Sequence, residues 1–159
     1  MREPTRTRFD TRAECEAQFR ACVAAARTRL DLFDPDFAVF PLGAVDVDAA
    51  LREFLQRGGV LRLAMHSPAI IERHYPRFLR LAHDYSHLLN CRQTPKDLRT
   101  LTDSFCIADR LNVVRRFHSA HMRGEASFGI ADEAELPSQR YEAIWEASFP
   151  VLQSTTTGL

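Results

Sequence analysis

Polar side chains that follow two apolar runs are the first candidates for chemistry in this sequence. Asp34 and Asp36 follow the run at 30–33, and His66 and Ser67 follow the run at 60–65. In open parallel sheets, ligands bind beyond the carboxyl ends of the strands, so His66 could act there as a general base or hydrogen-bond an anion. The alternative is that both segments are ordinary strand-to-helix turns, with Ser67 capping a helix that Pro68 opens. Such turns use these residue types regardless of function, which favours the alternative.

The remaining histidines form less complete patterns. His118 and His121 lie three residues apart in a segment without clear periodicity and could contribute a base to a shared pocket. His83, His87 and Cys91 are spaced by four residues, but the helical pattern ends before Cys91, so the three do not share a face. The sequence has no zinc-ligand spacing, no GxSxG turn and no glycine-rich phosphate loop. We therefore expect neither a metal nor a cofactor.

The elements that must position these side chains alternate along the first half of the chain. Thr11 and Glu14 form a capping-box pattern, which predicts that a helix begins at residue 12. Pro76 should split a later helical stretch near Tyr75. The predicted order is a helix over 12–28, a strand over 30–33, a helix with Asp46 as N-cap that ends at 58–59, a strand over 60–65, the split helix from Pro68, and a strand over 88–92.

The second half predicts a hairpin and a closing helix. A strand over 103–109 is followed by a turn, a partner strand over 113–117 and a further strand over 125–130. Pro137 is the expected start of the last helix, whose inward face carries Tyr141, Ile144, Trp145 and Ser148. The sequence thus predicts a single α/β domain over 1–159, with an ordered core over about 12–150 and a frayed tail at 151–159. Its sheet should be mixed, parallel in the first half with antiparallel hairpin strands added, and have helices on both faces.

Charge and cysteine usage restrict the class of partner and the compartment. Lys+Arg and Asp+Glu both total 21, so the chain has no global attraction to nucleic acid or to an anionic membrane, although a local basic patch fits this balance. Arg115 and Arg116 occupy the hairpin strand on opposite faces, where a solvated edge strand explains them as well as phosphate binding does. No apolar run approaches a membrane span, and MREPTRTRFD lacks a signal-peptide core. The four cysteines lack CxxC spacing, which indicates buried thiols and a cytoplasmic location.

The segment DSFCIAD, the hairpin after it and the helix with Ile144 and Trp145 resemble the phospholipase D-like superfamily. In that superfamily the corresponding strand carries the motif HxKxxxxD. Here Asp109 would be the acidic residue, Thr102 stands at the histidine position and Ser104 at the lysine position. The chain also resembles uncharacterised bacterial domains of this fold that are sometimes joined to GNAT-type acetyltransferases. The resemblance covers residues 12–150 and implies a phospholipase D-like half-domain.

The resemblance implies a scaffold whose catalytic motif is degenerate. In the superfamily the histidine attacks phosphorus and the lysine stabilises charge on the phosphoryl oxygens, and neither Thr102 nor Ser104 can do this unaided. We therefore expect a non-catalytic binding or dimerisation module, a homodimer through the motif face, with an anion, a protein or a nucleic acid as ligand. The competing hypothesis is a phosphodiesterase or nuclease whose rearranged site uses His66, His118 or His121 as base and arginines as phosphate clamps.

Overall fold

The computed structural model describes residues 3–153, which form eight strands and five α-helices. A short 3₁₀ turn, Lys96–Leu98, lies between the fourth and fifth strands. In chain order the elements are β1 (Thr5–Phe9), α1 (Arg12–Ala25), β2 (Arg29–Phe33), α2 (Val45–Gln56), β3 (Val60–Met65), α3 (Ala69–His74), α4 (Pro76–Asp84), β4 (Leu89–Gln93), β5 (Ser104–Ala108), β6 (Asn112–Arg116), β7 (Gly124–Phe128), α5 (Ala131–Ala147) and β8 (Phe149–Val151).

All eight strands belong to one mixed sheet in the order β1-β7-β6-β5-β2-β3-β4-β8. β2, β3 and β4 are parallel to one another, and every other neighbouring pair is antiparallel. The expected mixed sheet, parallel in the first half and antiparallel in the second, is therefore confirmed. The parallel strands β2 and β3 are connected through α2, as a crossover connection requires.

The two faces of the sheet carry separate hydrophobic cores because successive strand residues point to opposite sides. On one face, Leu30 and Leu32 of β2 pack with residues from α1, α2 and α4, including the fully buried Phe19. On the other face, Phe33 of β2 packs with Tyr141 of α5. The expectation of helices on both faces is confirmed.

An arginine held between aromatic rings joins α5 to the sheet. Arg62 of β3 donates from Nε to the carboxylate of Asp31 over 2.8 Å and from Nη2 to Glu142 of α5 over 2.6 Å. Its guanidinium lies 5.0 Å from the ring centroid of Tyr141 and 5.1 Å from that of Trp145. The buried carboxylate of Asp31 is thereby neutralised by a cation that the rings shield from water.

Several boundaries follow from local sequence signals. The side chain of Thr11 accepts a hydrogen bond from the backbone N–H of Glu14, and the Glu14 carboxylate accepts one from the N–H of Thr11, so the capping box is formed. Pro76 is the first residue of α4, and the predicted split from α3 at Tyr75 is confirmed. Gly58 ends the turn after α2 with φ of 89°, a conformation that L side chains rarely adopt.

Two helix starts differ from prediction. α5 begins at Ala131, and Pro137 lies inside it rather than at its start. The preceding turn is fixed by the amide N–H of Gly129, which donates to Asn112 Oδ1 over 2.8 Å, and the buried Pro137 costs the helix one hydrogen bond. α2 follows Ala44, so Asp46 is not its N-cap but a first-turn residue paired with Arg20.

Two strands, β1 and β8, and the position of β6 inside the sheet were not predicted. β1 pairs with β7, and β8 pairs with β4, so ordered structure extends on both sides of the expected 12–150 core. Of the predicted frayed tail, residues 154–159 lie outside the described residues. β6 lies between β5 and β7, so the interpretation of Arg115 and Arg116 as part of a solvated edge strand is wrong.

Candidate functional site

One edge of the sheet collects the polar residues that the sequence singled out. Asp34 follows β2, His66 follows β3, Ser104 begins β5 and Arg116 ends β6. β5 runs antiparallel to β2, and β6 runs antiparallel to β5, so these four positions lie at the same edge. We call this the motif edge. It is the edge at which open parallel sheets bind their ligands.

At the motif edge, Asp34, Ser104 and Arg116 form a closed cluster. The exposed fractions are 0% for Asp34, 0% for Ser104 and 4% for Arg116. The hydroxyl of Ser104 donates to Asp34 Oδ1 in a short hydrogen bond. Arg116 Nη2 lies 3.5 Å from Asp34 Oδ1 and 3.5 Å from Ser104 Oγ. The strand register places Ser104 directly opposite Arg116, so the pairing of β5 with β6 builds this contact.

The cluster balances a buried carboxylate against a buried guanidinium. Burial raises the pKa of the Asp34 carboxyl above its ordinary value, and hydrogen bonds from Ser104 and from the backbone N–H groups of Asp36 and Phe37 oppose that rise. The positive charge of Arg116 opposes it as well. Ser104 and Arg116 Nη2 both face Asp34, whereas Arg116 Nε has no hydrogen-bond partner within the described residues. The arrangement stabilises one internal charge and leaves the Ser104 hydroxyl committed to it.

The two residues that the sequence resemblance aligned with the histidine and the lysine of the catalytic motif differ in environment. Thr102 precedes β5, is half-buried and lines a cleft of about 410 Å³ together with Arg115 and Arg140. Arg140 forms a bidentate ion pair with Asp103, with N–O distances of 2.7 and 3.1 Å. Ser104 is enclosed beneath α1 on the opposite face of the strand from Phe105. The structure therefore does not bring Thr102 and Ser104 into one cavity.

Asp109 lies at the other end of β5, away from the motif edge. Its carboxylate accepts hydrogen bonds from the backbone N–H groups of Arg27, Thr28 and Arg29 over 2.8–2.9 Å. Partial burial would raise the pKa of this carboxyl, but the backbone N–H donors outweigh burial and hold the pKa below its ordinary value. Asp109 has a positive φ of 56°. Its role in this geometry is to tie the β5–β6 turn to the start of β2.

Both ring nitrogens of His66 are engaged. Nε2 lies 2.7 Å from the carbonyl oxygen of Leu101, which can only accept, so Nε2 carries a proton. Nδ1 lies 2.5 Å from the hydroxyl of Thr94, which also lies 3.4 Å from the carbonyl oxygen of Met65 and can donate its one proton to only one of the two. Thr94 is buried at the end of β4 and was not singled out in the sequence. His66 thus links three segments of the motif edge through hydrogen bonds at both ring nitrogens.

Asp36 and Ser67 stabilise the turns after β2 and β3. Asp36 Oδ1 accepts from the N–H of Ala38 over 3.0 Å, and Ser67 Oγ accepts from the N–H of Ala69 at the start of α3 over 3.2 Å. These are the local contacts that strand-to-helix turns use.

The loop between β6 and β7 holds the other two candidate histidines. His118 Nδ1 accepts from the N–H of Ala120 over 2.9 Å, and His121 Nδ1 accepts from the N–H of Arg123 over 3.2 Å. Their ring centroids are 5.9 Å apart. Partial desolvation and then the charge of Arg123 lower the pKa of His121. Accepting a backbone N–H at Nδ1 favours, in both rings, the tautomer that carries its proton on Nε2.

A second and larger cleft opens beside this loop. It has a volume of about 710 Å³ and is lined by Arg8, Asp10, Glu14, Phe117, His121 and Arg123 among others. Phe117 also lines the cleft that contains Thr102, so this ring stands between the two. Sequence reasoning missed Arg8, Phe117 and Arg123; the alternation TRTRF and the run RRF carried the available signal.

Within residues 3–153, no three His, Cys, Asp or Glu side chains are arranged to hold a metal ion. In the same range, every helix is too short or too polar to cross a bilayer.

Comparison with solved structures identifies the fold. The phospholipase D family member Nuc from Salmonella typhimurium matches with a TM-score of 0.69 and 15% identity, over 96% of this chain and 100% of Nuc. The archaeal chromatin protein TrmBL2, whose structure shows a novel mode of DNA binding, matches with a TM-score of 0.68 and 12% identity, over 92% of this chain and 54% of TrmBL2. Phosphatidylserine synthase from Haemophilus influenzae matches with a TM-score of 0.66 and 8% identity, over 96% of this chain and 40% of the synthase.

The sheet order and helices described above thus form a phospholipase D-like fold, as the sequence resemblance implied. No protein of curated function matches the sequence significantly. A family model described as a domain of unknown function, DUF7931, matches residues 11–154. Because the match spans most of the chain, this protein belongs to the DUF7931 family.

Proposed function

We propose that this chain is a non-catalytic binding module built on the phospholipase D-like scaffold. The observation that carries the proposal is the burial of Ser104, the residue that the sequence resemblance aligns with the superfamily's lysine. Its hydroxyl is fully buried and donates to Asp34. A substrate phosphate cannot reach this group without opening the core beneath α1, and a neutral hydroxyl would offer no positive charge there.

At each of the three candidate histidines, Nδ1 already takes part in a hydrogen bond within the protein, so it is not free to take a proton from water or from a substrate. His66 is bonded to the hydroxyl of Thr94 and to the carbonyl oxygen of Leu101. His118 and His121 each accept a backbone N–H at Nδ1, so the tautomer with the proton on Nε2 is favoured. His66 follows β3, whereas His118 and His121 belong to the loop between β6 and β7. This geometry argues against the competing function, a phosphodiesterase or nuclease with a rearranged site.

The proposal includes a two-fold homodimer that pairs through the motif edge. Its support is the length of the unit: the chain matches all of Nuc but 40% of phosphatidylserine synthase, so it corresponds to less than half of the larger protein. A unit of this size would place two motif edges together by two-fold pairing. Light scattering during size-exclusion chromatography of the full chain measures the mass, and a monomer at all concentrations would remove this part of the proposal.

A hydrolysis assay tests the absence of catalysis. The purified full chain is incubated with bis(p-nitrophenyl) phosphate and with a fluorescent single-stranded oligonucleotide, beside the variants His66→Ala and His121→Ala. We expect release of product at the rate of the protein-free control in every case. Cleavage above that rate that either variant abolishes would overturn the proposal, because it would assign a catalytic role to that imidazole.

A further inference from the structure

An exposed aromatic ring, that of Phe117, lies after β6 at the end of the motif edge nearest β1, stands between two clefts and is surrounded by arginines. We propose that this surface, the Phe117 groove, binds single-stranded nucleic acid. We define the groove by Arg8, Arg115, Phe117, His121 and Arg123, together with the clefts of about 710 and 410 Å³ on the two sides of Phe117. The groove requires that the proposed homodimer pair through the remaining part of the motif edge, at the ends of β2, β3 and β5. The inference rests on the proposed function, since a ligand that is bound and released unchanged requires a module that does not cleave it.

Phe117 has the position and exposure of a stacking platform. Its exposed fraction is 43%, although it is a large apolar side chain. The guanidinium of Arg115 lies 5.3 Å from its ring centroid, so one side of the ring already carries a stacked cation. Its backbone N–H donates to the carbonyl of Arg123 over 3.0 Å, which fixes the base of the loop. Bases stack on such rings without sequence preference because every base has a π-face.

The arginines of the groove are available to bind phosphate. Within residues 3–153, no carboxylate lies at ion-pair distance from Arg8, Arg115 or Arg123, whereas Arg140 nearby is paired with Asp103. The carboxylates of Asp10 and Glu14 also face the larger cleft. Glu14 accepts the N–H groups of Asp10 and Thr11, which lowers its pKa and offsets part of its charge. Glu125 lies opposite both Arg8 and Arg115 in the strand register but is paired with Arg6, so the three guanidiniums of the groove stay free of direct ion pairs within the described residues.

The histidines of the loop add hydrogen-bond donors to the groove. Because Nδ1 of His121 accepts a backbone N–H, its Nε2–H can donate to a phosphate oxygen or to a base edge. His118 is held in the same way by Ala120. The groove therefore combines guanidiniums, an aromatic face and hydrogen-bond donors, the set of contacts that single strands use.

The geometry favours a single strand over a duplex or a membrane surface. A duplex keeps its bases stacked inside, so it could not use a ring that projects between two clefts, and it would depend on a broad basic surface. The chain has 21 basic and 21 acidic residues, which does not supply such a surface. An anionic membrane would likewise need clustered cations beyond three arginines. A flexible strand can stack one base on the face of Phe117 that Arg115 leaves open and continue past the ring from one cleft into the other.

Fluorescence anisotropy tests the inference with the full chain and a labelled oligothymidylate of about 12 nucleotides. We expect saturable binding that Phe117→Ala weakens at least about fivefold, because one stacked base is lost. Phe149→Ala is the matched control, since Phe149 is 47% exposed and lies on β8, the outermost strand on the side of the sheet opposite β1. Phe117→Trp should bind like the parent chain, which separates lost stacking from a folding defect.

Arg8→Gln and Arg123→Gln should each reduce the slope of log K against log salt by about 0.7, while Arg80→Gln on α4 should not.

The outcomes separate this inference from the proposed function. Equal binding by Phe117→Ala and Phe149→Ala, or binding only to duplex DNA or to phosphatidylglycerol vesicles, would overturn the inference and leave the non-catalytic module standing. If Phe117→Ala changes the mass in light scattering but not the affinity, Phe117 is a dimer contact and the inference fails. Cleavage of the oligonucleotide during the titration would refute the proposed function instead.

Discussion

Replacing Ser104 by alanine tests the buried cluster at the motif edge through stability. The substitution removes one hydroxyl donor from Asp34, which is fully buried and cannot recruit water in exchange. A hydrogen bond to a charged group contributes about 1.5–3 kcal/mol, so we expect the free energy of unfolding to fall by about 2 kcal/mol. For a chain of this size the melting temperature should fall by about 4–8 °C. Urea denaturation at neutral pH with an unchanged m-value is the measurement.

The pH dependence of this loss has a definite sign. The Ser104 hydroxyl stabilises the ionised form of Asp34, so its removal raises further a pKa that burial already raises. Because the pKa of Asp34 is higher in the folded than in the unfolded protein, protonation of Asp34 stabilises the fold at pH values below the ordinary carboxyl pKa. That stabilisation is lost as the pH rises through the pKa of Asp34 in the folded protein. The difference between Ser104→Ala and the parent chain should therefore be largest at neutral pH and shrink in acid.

Ser127→Ala provides the matched control. Ser127 is a buried serine on β7 whose hydroxyl has no hydrogen-bond partner within the described residues. Deleting an unpartnered hydroxyl removes no contact, so the free energy of unfolding should stay within about 0.5 kcal/mol of the parent value or increase. Equal losses for Ser104→Ala and Ser127→Ala would refute the reasoning, because the Ser104–Asp34 contact would then contribute nothing specific.

Three further substitutions test other charged contacts. Asp109→Asn should lower the free energy of unfolding by about 1–3 kcal/mol at neutral pH, since an amide cannot replace a carboxylate that accepts several N–H groups. Because the pKa of Asp109 is lowered in the folded state, its contribution to stability is present above the ordinary carboxyl pKa and is lost as the pH falls. Urea titrations in acid should therefore give variant and parent the same stability. Arg62→Met should lower the free energy of unfolding by about 3 kcal/mol, because it leaves the buried Asp31 with a single partner. Glu142→Gln, at a partly exposed position, should lower it by less than about 1 kcal/mol. Thermal melts that rank these two variants in the opposite order would contradict the larger role given to the Arg62–Asp31 pair.

The parts of the fold set by local signals were predictable from the sequence. The capping box of Thr11, the split at Pro76 and the apolar density of β3 each depend on residues within one element. The resemblance carried by DSFCIAD and the closing helix gave the fold itself, which the structural comparisons support. β1 was missed because it is an edge strand exposed over most of its length, and it pairs with β7 more than a hundred residues away.

The candidate site was less predictable because its contacts are non-local. Ser104 meets Asp34 only when β5 pairs with β2, and Arg116 joins them only when β6 pairs with β5. From the sequence, Arg116 is indistinguishable from its exposed neighbour Arg115 until the position of β6 inside the sheet is known. The Phe117 groove likewise depends on the loop that brings Arg123 beside the end of β1.

The pairing of β1 with β7 has a consequence for how the protein is handled. The DUF7931 match begins at residue 11, after β1 has ended. A chain trimmed to that boundary would lose Phe9, which lies over Gly124, and would leave the amide and carbonyl groups along one side of β7 without partners. Such uncovered backbone recruits strands from other molecules. Self-association measured on a chain shortened in this way would therefore reflect the newly exposed strand β7 rather than a native dimer interface.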